Sequence, residues 1–219
     1  IVDSRIRLTW LEGNRWIDRL ALGFLEMGLK RDDVVVLQLP NSVELTLLRV
    51  ACEKAGLVCL PALISLRQRE MEYILVHTEA SAIVIYNEYR GFNFLGMVQD
   101  VRGGLPNLRH VLLVDSDGPS GEPSVRRIVD TEVEKGYPPD YLKNTQCPAT
   151  EVSLVLHTTG TTGLPKFVEH PICGRMHSSQ AITQRLGLTS ADTLSILGPA
   201  AGGPNHSAYI TAPQLPARV

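Results

Sequence analysis

The sequence lacks the features that would assign it to a membrane, to nucleic acid or to a structural metal. No apolar run approaches the roughly 20 residues needed to cross a bilayer, and no signal peptide is expected. Lys and Arg number 21 against 23 Asp and Glu, a net charge of −2. Neither a basic face for nucleic acid nor an acidic tail is therefore expected. The four cysteines, Cys52, Cys59, Cys147 and Cys173, include no Cys-x-x-Cys pair and have no His at zinc spacing. Cys52 and Cys59 lie among apolar residues, as reduced core thiols do, which points to a cytoplasmic protein. Internal repeats and low-complexity tracts are missing. So is a Gly-x-Gly-x-x-Gly turn after a strand, which argues against a dinucleotide-binding domain.

What remains is ordinary for a folded soluble protein: 219 residues, 44% hydrophobic and 20% charged, enough for one large domain or two small ones. The chain opens at Ile1, and residues 213–219 supply no closing element, so a piece of a longer protein is expected. Residues 6–10 read as a short strand. From Asn14 the apolar positions Ile17, Leu20, Ala21, Phe24 and Met27 take helical spacing, and Gly28 stands where a helix stops. Strands follow over 34–39, 57–60, 82–86 and 110–114. Between them lie helices over 43–55 (closed by Gly56), 67–78 and 92–102. Continuous apolar strands alternating with helices predict an α/β fold with a mainly parallel sheet flanked by helices. Residues 115–150 are rich in Asp, Gly, Ser and Pro and read as an irregular connection with one helix over 124–135. A helix over 176–186 and a strand over 193–197 complete the pattern. The expected division is 1–114 as the α/β layer, 115–150 as the connection and 151–219 as the functional region.

The richest segment is Thr158-Thr159-Gly160-Thr161-Thr162-Gly163-Leu164-Pro165-Lys166-Phe167, which follows a strand-like run over 152–157. Glycines let a backbone turn and bring its N–H groups close to an anion. Threonine hydroxyls donate to phosphate oxygens or ligate a hard cation. Lys166 adds a full positive charge. A strand running into such a segment builds a polyphosphate cradle, and a Gly-rich turn with few apolar contacts is expected to open easily without nucleotide. A Walker-type loop is excluded: Pro165 precedes Lys166, and Phe167 stands where that motif needs a hydroxyl.

The segment resembles the phosphate-loop signature of the adenylate-forming enzymes, the superfamily of acyl-CoA synthetases, aryl-acid–AMP ligases, nonribosomal adenylation domains and luciferases. Nine of its ten positions match the usual pattern. Phe167 replaces the customary Gly, as a large apolar residue does in some aryl-acid–AMP ligases. Supporting similarities are Arg7-Leu8-Thr9-Trp10-Leu11 with Arg19-Leu20-Ala21, the run ending Leu39-Pro40-Asn41, and the Ala55-Gly56 to Pro61 element. Tyr89-Arg90-Gly91-Phe92-Asn93-Phe94 and Pro199-Ala200-Ala201, the start of an acyl-pocket motif, extend the likeness. That last match weakens where Gly202-Gly203-Pro204 separates the alanines from Asn205-His206.

The resemblance implies part of the large N-terminal domain of an adenylate-forming enzyme. Its chemistry would be ATP-dependent activation of a carboxylic acid as an acyl-adenylate, then thioester formation with coenzyme A or a carrier-protein thiol. By the resemblance, the backbone of Gly160 to Gly163 wraps the β- and γ-phosphates, Thr161 and Thr162 donate to them, and Thr158, Thr159 and Lys166 complete the phosphate-binding set. Lys166 balances the departing pyrophosphate, Thr158 touches Mg²⁺, and Asn205 and His206 line the acyl pocket. Thr161 and Lys166 are the catalytic candidates. Adenine, ribose and terminal-lysine elements of the superfamily would lie after Val219, so the chain alone is expected to be inactive. No nucleic-acid or membrane partner is expected. Residue by residue, plainer roles compete: Pro40-Asn41 as a strand-end turn, Phe92 and Phe94 as packing, Trp10 and Trp16 as core or interface aromatics, and Arg67 and Arg69 as a solvated helix face. His170 and His177 read as structural or exposed. A non-catalytic α/β module that binds an anion or a protein partner is the alternative class.

Overall fold

Thr9 begins the first helix. Its hydroxyl accepts the N–H of Glu12, and the Glu12 carboxylate accepts the N–H of Thr9, a reciprocal cap that satisfies two otherwise unpaired donors. In this computed structural model, which describes residues 1–115, 117–118, 121–158, 164–196, 198–199, 211 and 215, helix α1 (Trp10–Glu26) therefore includes Trp10. The strand read over 6–10 is not formed; only an isolated bridge, Val2 to Arg7, stands there. The elements that follow are β1 (Val34–Leu37), α2 (Val43–Ala55), β2 (Val58–Pro61), α3 (Gln68–His77), β3 (Ala82–Ile85), β4 (Glu88–Tyr89), β5 (Phe92–Asn93) and α4 (Phe94–Val101). After them come β6 (His110–Leu113), α5 (Val125–Asp130), α6 (Tyr141–Thr145), β7 (Val152–His157), β8 (Phe167–Pro171) and α7 (Ile172–Leu186).

Six strands form one sheet in the order β6-β3-β1-β2-β7-β8. The first five run parallel, and β8 returns antiparallel beside β7. Successive strand residues face opposite sides, so each strand feeds two cores. One core joins Val35, Leu37, Val84 and Leu154 to Leu20 and Phe24 of α1, Leu48 and Cys52 of α2, and Val125 and Val129 of α5. The other joins Val36, Leu60, Ile83 and Ile85 to Met71 and Ile74 of α3 and to Phe94 and Val98 of α4. A mainly parallel sheet covered on both faces is the architecture expected. Cys52, Cys59 and Cys147 are buried free thiols. Among the described residues no helix is long and apolar enough to cross a membrane.

Several local readings are corrected. Residues 86–94 hold a small hairpin, β4–β5, turning through Arg90 (φ 51°) and Gly91 (φ 75°). The following helix starts at Phe94, capped by the Asn93 side chain on Gly96 N–H at 2.7 Å. The single helix read over 124–135 is broken: α5 ends at Asp130, Thr131 turns extended, and a short 3₁₀ turn follows over Val133–Gly136. Helix α6 and strand β8 were not read from the sequence. Residues 193–196 form no strand in a sheet, and Leu197 lies outside the described residues.

Gly56 closes α2 in the left-handed region at φ 75°, and a Cβ there would meet Thr145 O at 2.4 Å. Gly28 closes α1 at φ 81° with nothing within 4 Å of the same position. Gly28→Ala should cost about 1 kcal/mol of left-handed strain, and Gly56→Ala a further ~1–3 kcal/mol of overpacking. Urea unfolding of the two variants checks this; equal losses would contradict it.

Candidate functional site

Parallel strands end together, and loops leaving their carboxyl ends make the usual ligand face of such a sheet. β7 ends there. Leu154 is fully buried and Leu156 nearly so, which seats the strand between β2 and β8. His157 lies opposite Phe167 in register, so residues 158–166 are the loop of a β7–β8 hairpin. Two hydrogen bonds close its base: Thr158 N–H donates to Lys166 O at 2.9 Å, and Lys166 N–H donates to Thr158 Oγ at 3.0 Å. Thr158 and Lys166 are thus brought together, and Pro165 beside them is buried. The Thr158 hydroxyl, read from sequence as a Mg²⁺ contact, accepts a backbone N–H here. Thr159, Gly160, Thr161, Thr162 and Gly163 lie outside the described residues, as do Asn205 and His206; the expectation that the unliganded loop opens easily falls on the same segment.

The loop's two flanks rest on the β2–α3 unit. His157 is buried, its Nε2 accepts Leu63 N–H at 3.4 Å, and its Nδ1 lies 3.0 Å from Thr158 O. Phe167 stacks on His77 at 5.4 Å and on Tyr73 at 6.0 Å between ring centroids. Sequence reasoning missed His157: one polar residue closing a strand carries no pattern. Phe167 was noted only as a departure from the signature, and its stacking partners lie on α3, far away in the chain.

A second piece of the ligand face comes from the turn after β1. Asn41 Nδ2 donates to Gly198 O at 2.7 Å and to Ile196 O at 3.4 Å. The strand-end turn read for Pro40-Asn41 is present, and its amide also anchors the segment that leads to Pro199. Between that segment and the start of α2 lies a cavity of about 320 Å³ lined by Asp3, Asn41, Ser42, Thr46 and residues 193–196. Two donors at the α2 N-terminus are already taken: Ser42 Oγ accepts Leu45 N–H at 3.2 Å, and Asp3 accepts Val43 N–H at 2.9 Å. Arg5 grips Glu44 with both oxygens at 3.0 Å. Burial, followed by the Glu44 charge, pushes the Tyr86 hydroxyl up.

The remaining residues flagged in the sequence have plain roles. Phe94 is buried and Phe92 packs edge-on against it at 4.8 Å. Arg67 lies over the Phe92 ring at 4.1 Å, and Trp10 and Trp16 pack at the rim of the α1 core. His177 is exposed, while His170 is half-buried, and burial followed by nearby Arg175 pushes its imidazole pKa down. Arg175 joins α7 to Glu53 of α2 at 2.7 Å and to Ser153 of β7. Among the described residues no group of three or more His, Cys, Asp or Glu could hold a metal. At the loop base the Thr158 and Lys166 amides are spent in closing the hairpin, which leaves the Lys166 ammonium and the Thr158 hydroxyl hydrogen as the donors that suit an anion.

Residues 1–201 match the family of AMP-binding enzymes. The chain belongs to this family. Among its relatives is the 2-hydroxy-7-methoxy-5-methyl-1-naphthoate–CoA ligase of Streptomyces carzinostaticus, 31% identical over 171 residues, covering 77% of this chain and 30% of the relative. Another is the 2,3-dihydroxybenzoate-AMP ligase of Bacillus subtilis, 30% identical over 156 residues, covering 69% of this chain and 26% of the relative. The apo structure of Mycobacterium smegmatis MbtA superposes with a TM-score of 0.81 at 24% identity, covering 99% of this chain and 39% of that one. The chain spans between a quarter and a third of the length of these relatives, 30% and 26%. The adenylate-forming resemblance and the parallel α/β architecture are borne out by these matches.

The Asp3 carboxylate at the α2 N-terminus provides a pH test. Burial raises its pKa, but N–H donation from Val43, Arg5 and Ile6, with the Arg5 charge, outweighs burial and sets it below the ordinary 3.8. A depressed pKa contributes stability above the unfolded value that is lost as pH falls through the folded value. Asp3→Asn should therefore be less stable than wild type at pH 6. The gap should close as pH falls below 3.8. Urea midpoints across that range check it; a gap that is constant with pH would contradict it.

Proposed function

We propose that the chain is the amino-terminal portion of a ligase that activates a carboxylic acid with ATP and passes the acyl group to a thiol. The observation that carries this reading is the nine-of-ten match to the phosphate loop, placed on a β7–β8 hairpin inside a chain of the AMP-binding family. In the first step a carboxylate oxygen bonds to the α-phosphorus of ATP, the bond to the β-phosphate breaks, and pyrophosphate leaves. In the second, the sulfur of coenzyme A or of a carrier-protein thiol bonds to the acyl carbon and AMP departs.

Such phosphoryl chemistry asks the protein mainly to position groups and neutralise charge. Lys166, tied through its own amide to Thr158, is the cation that balances the leaving pyrophosphate. Amides of Gly160 to Gly163 and hydroxyls of Thr159, Thr161 and Thr162 hold the β- and γ-phosphates. Mg²⁺ would be brought by the triphosphate and would help neutralise its charge. Thr158 is the side chain assigned to it, and Asn205 and His206 are assigned to the acyl pocket. Residues 1–114 form the supporting layer, 115–150 the connection, and 151–219 the start of the active centre.

Two relatives act, by their names, on a naphthoate and on 2,3-dihydroxybenzoate. With the large apolar residue at Phe167 they support an aromatic acid as substrate class. The buried free thiols support a cytoplasmic location.

Carboxylate-dependent ATP–pyrophosphate exchange tests the reading in the whole protein. Lys166→Ala removes a charge-assisted contact worth about 1.5–3 kcal/mol, a loss of roughly 10- to 150-fold. Transfer from a preformed acyl-adenylate to the thiol should be nearly unaffected, because pyrophosphate has already left. Lys166→Arg should restore part of the rate. Residues 1–219 alone should give no exchange. Unchanged exchange in Lys166→Ala would refute the assignment.

A further inference from the structure

We propose that His157 is a positioning residue of the phosphate loop, held in orientation by a buried polar chain that starts just after β1, two strands away in the sheet. The proposal rests on the loop reading above. Gln38, fully buried just after β1, donates from Nε2 to Leu66 O at 3.0 Å and to Leu63 O at 3.4 Å. This pins the connection between β2 and α3. The pinned connection offers Leu63 N–H to His157 Nε2. With Nε2 accepting the Leu63 N–H, Nδ1 is the ring nitrogen that carries a proton, and it donates to Thr158 O at 3.0 Å.

Thr158 is the first residue of the loop. Fixing its carbonyl fixes the planar peptide unit that opens the loop, while its hydroxyl fixes Lys166 N–H at the other end. Phe167, opposite His157, is braced on the same unit through His77 and Tyr73 of α3. Both flanks of the loop are thereby set by one rigid support before any ligand arrives, as preorganised anion sites require. His157 touches no substrate; it acts through the Thr158 carbonyl.

Binding of MgATP and of AMP to the whole protein, measured by competition with a fluorescent ATP analogue, tests this. AMP lacks the β- and γ-phosphates, so a change in loop position moves MgATP affinity alone. His157→Phe, which keeps a ring and removes both nitrogens, should weaken MgATP by about three- to tenfold and leave AMP within about twofold. His157→Asn puts an amide donor where Nδ1 stands and should recover most of the loss. His157→Gln puts its amide where Nε2 stands and should recover little; it also carries the test if the Phe variant fails to fold. Unchanged MgATP binding in the Phe and Gln variants, or equal losses for MgATP and AMP, would overturn the proposal. Lys166→Ala separates the two readings: if it leaves MgATP affinity unchanged, the phosphate-loop reading itself falls and this proposal with it. If Lys166→Ala weakens MgATP and the His157 variants do not, only the role of His157 is refuted.

Discussion

Leu154 of β7 pairs with Cys59 of β2, and that contact sets the position of everything chemical in the chain. The strand arrives after a long excursion from β6, at the far side of the sheet, and is held there by burial of Leu154 and Leu156 in the core beneath α1 and α2. Burying a leucine is worth about 1.5–3 kcal/mol, so these two side chains alone favour this seat over an unpaired strand by several kcal/mol. Once β7 is parallel to β2, its carboxyl end must open on the same edge as those of β1 and β3. The Gly- and Thr-rich segment leaves from that edge, and β8 closes the hairpin that carries it.

The supports around the loop come from the same edge. The connections after β1 and β2 supply Asn41, which meets Ile196 and Gly198, and Leu63, which meets His157. Residues 94 and 157 positions apart therefore meet because parallel strands deliver their ends to one place. Arg175 adds a lateral brace, binding α7 to α2 and β7 in a nearly buried ion pair with Glu53. Removing either partner would leave a buried charge, the costly half of such a pair.

Much of this was legible in the sequence because the local rules agree. α2 starts after Ser42 and stops at Gly56, and both signals are written in residues whose side chain or missing Cβ does the capping. The start of α1 was also legible in Thr9-x-x-Glu12, but the alternation Ile-Arg-Leu-Thr-Trp imitates a strand and draws the reading away. β8 was illegible for a different reason: Val168 and Glu169 are exposed, and the strand exists because β7 supplies its hydrogen bonds. The apolar look of 193–197 misled in the opposite sense: residues 193–196 join neither sheet, and the Ile196 carbonyl accepts the Asn41 amide. At the site, Thr158 and Lys166 were found because a polyphosphate cradle needs Gly, Thr and Lys in sequence. Gln38 and His157 were not, because a buried polar chain is assembled in space.

The central claim is that the β7–β8 hairpin is where a nucleoside triphosphate is gripped. Amide hydrogen exchange of the whole protein with and without saturating MgATP tests it most directly. The account predicts slowed exchange in peptides covering 152–171 and in the 63–66 connection that supports them, and no change across 121–145. Saturation by MgATP with unaltered exchange over 152–171 would contradict it.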